Sequence, residues 1–114
     1  MSVQLTVVGL DKIGASIGLA LKSHKDQIKR IGHDRFSDNN KKALALAAFD
    51  ETTSTLLKAI ENADIVILAV PNDEIEETIE VVCPALKPGA VLMNSSLLSV
   101  SISQFIEKLI PEDR

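Results

Sequence analysis

Residues 3–21 read VQLTVVGLDKIGASIGLAL, and the change of rhythm inside this stretch decides the fold. Val3 to Val8 is a short, β-branched run of the kind buried strands use, and it stops at Gly9. From Ile13 to Ser23 the apolar residues Ile13, Ile17 and Leu21 recur at helical spacing, with Ala and Gly at close-packing positions. A strand therefore passes through a glycine turn directly into a helix.

The same alternation continues outward along the chain. Lys29 to Asp34 reads as a second strand ending in an acid. Ser37 and Asp38 are N-cap candidates for a helix running to about Ala48. Phe49 to Thr53 leaves room for one short strand, and a helix follows from about Ser54 to Asn62. Ile65 to Val70 is the clearest strand, stopped by Pro71. Asn72 is the expected cap of the next helix, whose first turns carry Asp73, Glu74, Glu76 and Glu77, where the helix dipole favours negative charge. Lys87-Pro88-Gly89 makes a turn, Ala90 to Asn94 a fifth strand, and Ser101 to Leu109 a last helix before Pro111. Strands alternating with helices of about ten residues require right-handed crossovers and a parallel sheet. The expected architecture is an α/β, Rossmann-type, doubly wound sheet of five to six strands, with helices on both faces and one domain over residues 1–114.

Composition agrees. The 114 residues suffice for one domain, and 46% hydrophobic content with 3% aromatic and no Trp or Tyr demands an aliphatic core. A net charge of -4 with no basic cluster argues against nucleic acid. The longest apolar run, Ile65 to Val70, is far below the roughly 20 residues needed to span a bilayer, and the N-terminus lacks the charged and cleavable parts of a signal peptide. The cytoplasm is the expected compartment. Cys83 is the single cysteine, so no internal disulfide or cysteine metal site is expected, and no carboxylate or histidine cluster has metal-ligand spacing.

In a doubly wound sheet the ligand sits at the carboxyl ends of the strands, where the strand order reverses. The segments after Val8, Asp34, Val70 and Asn94 are thus the ones to read for chemistry. The first is Gly9-Leu10-Asp11-Lys12-Ile13-Gly14. A dinucleotide fingerprint wants glycine for a tight turn, for backbone approach to pyrophosphate, and for packing helix on strand. Gly9 and Gly14 fill the first and third places. Asp11 fills the second, where a side chain crowds the pyrophosphate and a carboxylate repels it. Lys12 offsets that charge, the amides of the helix N-terminus favour an anion, and Ser16 offers a hydroxyl one turn further on. The plainer alternative is that the two glycines only shape a strand-to-helix turn.

Asp34 lies about 20 residues beyond Gly14, where an acid accepting hydrogen bonds from the adenosine ribose belongs. An acid there disfavours the 2′-phosphate of NADP, so NAD is the expected cofactor; Arg35 next to it softens that preference. Val70 and Pro71 reach the sheet edge near the nicotinamide-side ribose, although a Pro-stopped strand explains them equally well. Asn94, with Ser95 and Ser96, either lines the nicotinamide pocket or forms an ordinary turn. The other candidates have bland readings: Cys83 as core packing on an apolar helix face, His24 at a helix end, His33 beside Asp34, and Asp73 to Glu80 as a solvated helix face.

Together these segments resemble the NAD-binding domain of the prephenate and arogenate dehydrogenase family of tyrosine biosynthesis. The resemblance is carried by VVGLDKIGASIGLAL, IGHDR, ADIVILAVPNDEIEETI and LKPGAVLMNSS. It implies that Gly9, Gly14 and Ser16 contact or shape the pyrophosphate site, that Asp34 holds the adenosine ribose, and that Val70 and Pro71 line the nicotinamide side. Two features depart from the family pattern. Asp11 replaces the middle glycine, and the loop often written Asp-x-Gly-Ser-x-Lys has Asn94, Leu97 and Ser99 at its acid, serine and lysine positions. The resemblance also implies that the catalytic histidine, the substrate-binding arginine and a helical dimerisation domain lie beyond Arg114. On this reading the parent is a homodimeric oxidoreductase that oxidises prephenate or arogenate with decarboxylation, its small-molecule substrate held by that further domain, while the 114 residues alone are inactive and contain no assignable catalytic residue. The alternative reading is a non-catalytic nucleotide-binding or interaction module in which Asp11 has degraded the dinucleotide site.

Overall fold

The computed structural model describes residues 3–24 and 26–94; the helix expected over Ser101 to Leu109, and Ser95 and Ser96, lie outside them. Among the described residues five strands, β1 (Val3–Val8), β2 (Ile28–His33), β3 (Glu51–Thr53), β4 (Ile65–Leu68) and β5 (Val91–Asn94), alternate with four α-helices, α1 (Lys12–Ala20), α2 (Ser37–Ala45), α3 (Leu56–Ile60) and α4 (Ile75–Ala85). The strands form one parallel sheet in the order β3-β2-β1-β4-β5. The chain winds outward from β1 to β3, then returns to lay β4 on the other side of β1. The strand order therefore reverses between β1 and β4.

Side chains alternate across each strand, so each face of the sheet acquires its own core. Leu5, Val7, Ile65 and Ile67 pack with Ile17 of α1, with Leu21 at its C-cap and with Ala43 of α2. Val8, Val66 and Leu68 pack on the opposite face with Ile60 of α3 and Val82 of α4. Thr6 is the polar member of that second face, and its hydroxyl donates to the Ala59 carbonyl at 2.7 Å. Each fully buried Leu, Ile or Val contributes about 1.5–3 kcal/mol by leaving water, and this double burial explains why β4 is apolar at four successive positions. The expected fold class, with helices on both faces, is the observed one.

Local details differ where short-range chemistry overrides pattern. Helix α2 starts with Phe36 in the cap position rather than Ser37 or Asp38, and it has no side-chain cap bond. The reason lies upstream: the Asp34 carboxylate accepts the Phe36 N–H at 2.9 Å, and this Asx turn sets the helix start early. The same helix stops at Ala45, short of Ala48, because Ala47 adopts a φ of 58°. The Ala48 N–H then reaches the Ala43 carbonyl at 3.0 Å, closing a Schellman motif with alanine where glycine is usual.

Beyond Pro71 the chain makes a 3-10 turn over Asn72–Glu74 before α4 begins, with Glu74 rather than Asn72 in its cap position. Strand β4 ends at Leu68, not Val70, because its neighbour β1 has already turned away at Gly9; only Ala69 still donates, to Val8, at 2.8 Å. Two burial expectations are corrected. Ile13 is 61% exposed, since the buried stripe of α1 begins one turn later at Ile17. Cys83 is exposed, not core, because the inward stripe of α4 runs through Ile79, Val82 and Leu86. Among the described residues no helix is long and apolar enough to cross a membrane.

Candidate functional site

At the carboxyl edge, where the strand order reverses, a cleft of about 260 Å³ opens. Its floor is the β1–α1 turn. Gly9 has a φ of +100°, and a Cβ there would lie 2.6 Å from the Ala69 carbonyl oxygen. Only glycine allows both that conformation and that approach to the loop after β4. Gly14 meets the Gly9 carbonyl so closely that any side chain would collide with it. The two glycines thus bring the start of α1 directly onto the end of β1. Asp11 occupies the cap position of α1, is exposed to the cleft, and makes no side-chain cap bond. The first amides of the helix therefore remain available to an anion.

Asp34 is the best-held group of the cleft. Its Oδ2 accepts the Leu10 N–H at 2.8 Å and its Oδ1 the Phe36 N–H at 2.9 Å. Asn40 clasps its backbone, donating from Nδ2 to the Asp34 carbonyl at 3.0 Å and accepting the Asp34 N–H on Oδ1 at 2.9 Å. Asp34 as a residue is 9% exposed, and each oxygen retains a lone pair for a further donor. Beside it His33 Nδ1 meets the Thr53 carbonyl at 2.8 Å, which turns the ring toward the cleft wall.

Gly9, Asp11, Asp34, Arg35, Val70 and Pro71 are brought together on this one cleft. Leu10 contributes its N–H, but its side chain is core. Gly14 acts from behind the turn. Ile13 and Ser16 are exposed on α1 and do not line the cleft, Lys12 opens that helix, and Asn94 ends β5 without lining the cleft. Phe36, Leu56, Glu74 and Thr78 line it without having been anticipated. Glu74 belongs to the acidic run that the sequence presents as a solvated face, yet its side chain is 23% exposed and its Oε2 lies 3.3 Å from Arg35 Nη2. Its offset of three residues from Pro71 was the available signal, since a single 3-10 turn after the strand returns it to the cleft. Among the described residues no group of three or more His, Cys, Asp or Glu is placed to hold a metal.

A family model for the nucleotide-binding domain of prephenate dehydrogenase matches residues 17–114. The chain belongs to that family. Cyclohexadienyl dehydrogenase from Zymomonas mobilis is 25% identical over 107 residues, which make up 94% of this chain and 36% of that protein. The crystal structure of Synechocystis arogenate dehydrogenase superposes with a TM-score of 0.73 at 28% identity, covering 89% of this chain and 37% of that one. Prephenate dehydrogenase from A. aeolicus, in complex with hydroxyphenyl propionate and NAD+, gives a TM-score of 0.75 at 23% identity, covering 83% and 34%, a likeness of fold. The chain spans about a third of the length of these relatives. In this domain the cleft lies where the doubly wound fold places a nucleotide, and the residues present suit one. The turn would be filled by any Cβ, the helix start is uncapped, and a hydrogen-bonded carboxylate stands ready for hydroxyl donors.

Proposed function

We propose that this domain binds NAD across the carboxyl edge of its sheet and serves a cytoplasmic oxidoreductase acting on prephenate or arogenate. Asp34 accepts hydrogen bonds from the adenosine ribose, the amides at the start of α1 face the pyrophosphate, and Val70 and Pro71 line the way to the nicotinamide. When bound, NAD supplies the hydride acceptor for an oxidative decarboxylation. Hydride transfer needs both reactants in near-attack geometry. The substrate side is assigned to a separate substrate and dimerisation domain, so residues 1–114 act as a dinucleotide-binding domain without turnover of their own.

The observation that carries this reading is the Asp34 carboxylate, fixed by two backbone amides at the cleft with no ion pair among the described residues. Calorimetric titration with NAD and NADP tests it. Saturable NAD binding, tighter than NADP, is the expected result; absence of binding by either dinucleotide would overturn it.

Asp11 favours a second reading, a nucleotide or interaction module with a degraded dinucleotide site. Its uncapped carboxylate faces the place where pyrophosphate would lie. Asp11→Gly removes that charge and is expected to tighten NAD binding by about tenfold, the scale of one like charge beside the pyrophosphate at a solvent-exposed site. An unchanged affinity, already tight in the wild type, would dispose of the second reading.

A further inference from the structure

We propose that Glu74 is a specificity-determining residue of this cleft, which favours NAD by holding Arg35 away from the position a 2′-phosphate would take. The inference rests on the dinucleotide reading above and extends it to a residue on the opposite wall. Arg35 follows Asp34, so a phosphate on the ribose oxygen that faces Asp34 would come within reach of its guanidinium. An arginine at this place is the general means of accommodating NADP. Here the guanidinium is already engaged. Its Nη2 lies 3.3 Å from Glu74 Oε2, and its central carbon sits 4.8 Å from the centre of the Phe36 ring.

Glu74 is well placed for this role. Its N–H donates to the Pro71 carbonyl at 2.9 Å, and Thr78 Oγ1 donates to its carbonyl at 2.8 Å. The backbone is therefore locked in the 3-10 turn, and the carboxylate projects across the cleft toward Arg35. A 2′-phosphate would have to displace Glu74 from the guanidinium in order to gain it. It would also meet the carboxylates of Asp11 and Asp34 on the cleft lining. NAD, with a hydroxyl in that position, needs no such exchange. Arg35 is 64% exposed, so the pair is a tether that a ligand can open and not a structural staple.

The test is calorimetric titration of wild type, Glu74→Gln and Glu74→Gln/Arg35→Gln with NAD and with NADP. Removing the tether is expected to lower the ratio of NADP to NAD dissociation constants roughly two- to fivefold, within the range an exposed ion pair spans. The second substitution should abolish that gain. An unchanged ratio in Glu74→Gln, with NAD still bound, overturns the proposal alone. A gain that persists without Arg35 also overturns it, because Glu74 would then act by its own charge. Failure of wild type to bind either dinucleotide overturns the cofactor reading and this inference with it.

Discussion

At the amino edge of the sheet, Asp50 and Asp64 each accept a backbone N–H from the neighbouring strand and also face a cation. Asp50 takes the Arg30 N–H at 2.8 Å and its guanidinium at 3.2 Å; Asp64 takes the Gln4 N–H at 2.8 Å and Lys87 Nζ at 2.7 Å. At the carboxyl edge, Asp34 accepts two backbone N–H groups but has no ion pair among the described residues. Three aspartates thus do similar local work in turns and strand ends, and differ in what neutralises them. At the amino edge both carboxylates are neutralised within the protein, although the buried Arg30 Nε has no partner among the described residues. The carboxyl edge leaves hydrogen-bonding capacity for something outside the protein, which is how a fold separates the end that stabilises from the end that binds.

The largest expected effect that would break this contrast lies at Arg30. Its side chain is 4% exposed, and Nη1 donates to the carbonyls of Gly18, Ala47 and Ala48. It thereby ties α1, the end of α2 and Asp50 together. Arg30→Met leaves those acceptors buried and unpaired, and should cost about 3 kcal/mol in urea denaturation. A loss below about 1 kcal/mol would mean that the amino edge is not the stabilising end. Next comes Asp34→Asn, which keeps the shape but removes the charge. NAD affinity should fall by about a hundredfold, as when hydrogen bonds to a charged acceptor are lost, while stability falls by less than Arg30→Met costs. The reverse order of the two would undo the division of labour.

The smallest effect is at Asp64. Burial pushes its carboxyl up, but the hydrogen bonds from Lys87 and the Gln4 N–H, with the Lys87 charge, outweigh that and hold it below its ordinary value of 3.8. A folded value below the unfolded one stabilises at neutral pH, and that contribution disappears as the pH falls through the lowered value. Both side chains of the pair are about two-fifths exposed, so the contribution is below about 1 kcal/mol. Lys87→Met should therefore be slightly less stable than wild type at pH 7, with the gap closing in acid. A gap that widened in acid would contradict the sign.

Much of this was legible beforehand. The order of strands and helices, the two glycines and Asp34 are local signals, since each depends on residues close in sequence and on a fixed spacing between elements. What escaped depends on where individual side chains turn and what they meet once the elements are packed. The start of α2 at Phe36 follows from where the Asp34 carboxylate turns, which periodicity does not encode. The pairing of Glu74 with Arg35 joins the ends of two strands on either side of β1. Ile13 and Cys83 are apolar residues in helices, and their exposure depends on where the inward stripe of each helix lies against its neighbours. The Asp50 and Asp64 pairs depend on strand register, which fixes Gly32 opposite Thr52 and Leu5 opposite Ile65.

The reversal of strand order also has a consequence in time. The sheet's outer half can assemble through short crossovers, with Val3 meeting Ile28 and Ile31 meeting Glu51. The seam beneath the cleft instead pairs Val8 with Leu68, at a separation of 60 residues. Closing that longer loop carries the larger entropic cost before any contact repays it. The cleft is therefore expected to be the last region to close during folding, which pulse-labelled hydrogen exchange would register as late protection of the Ala69 amide. A chain halted before that step would hold a half-sheet with its fingerprint turn formed and no opposing wall to make it a site.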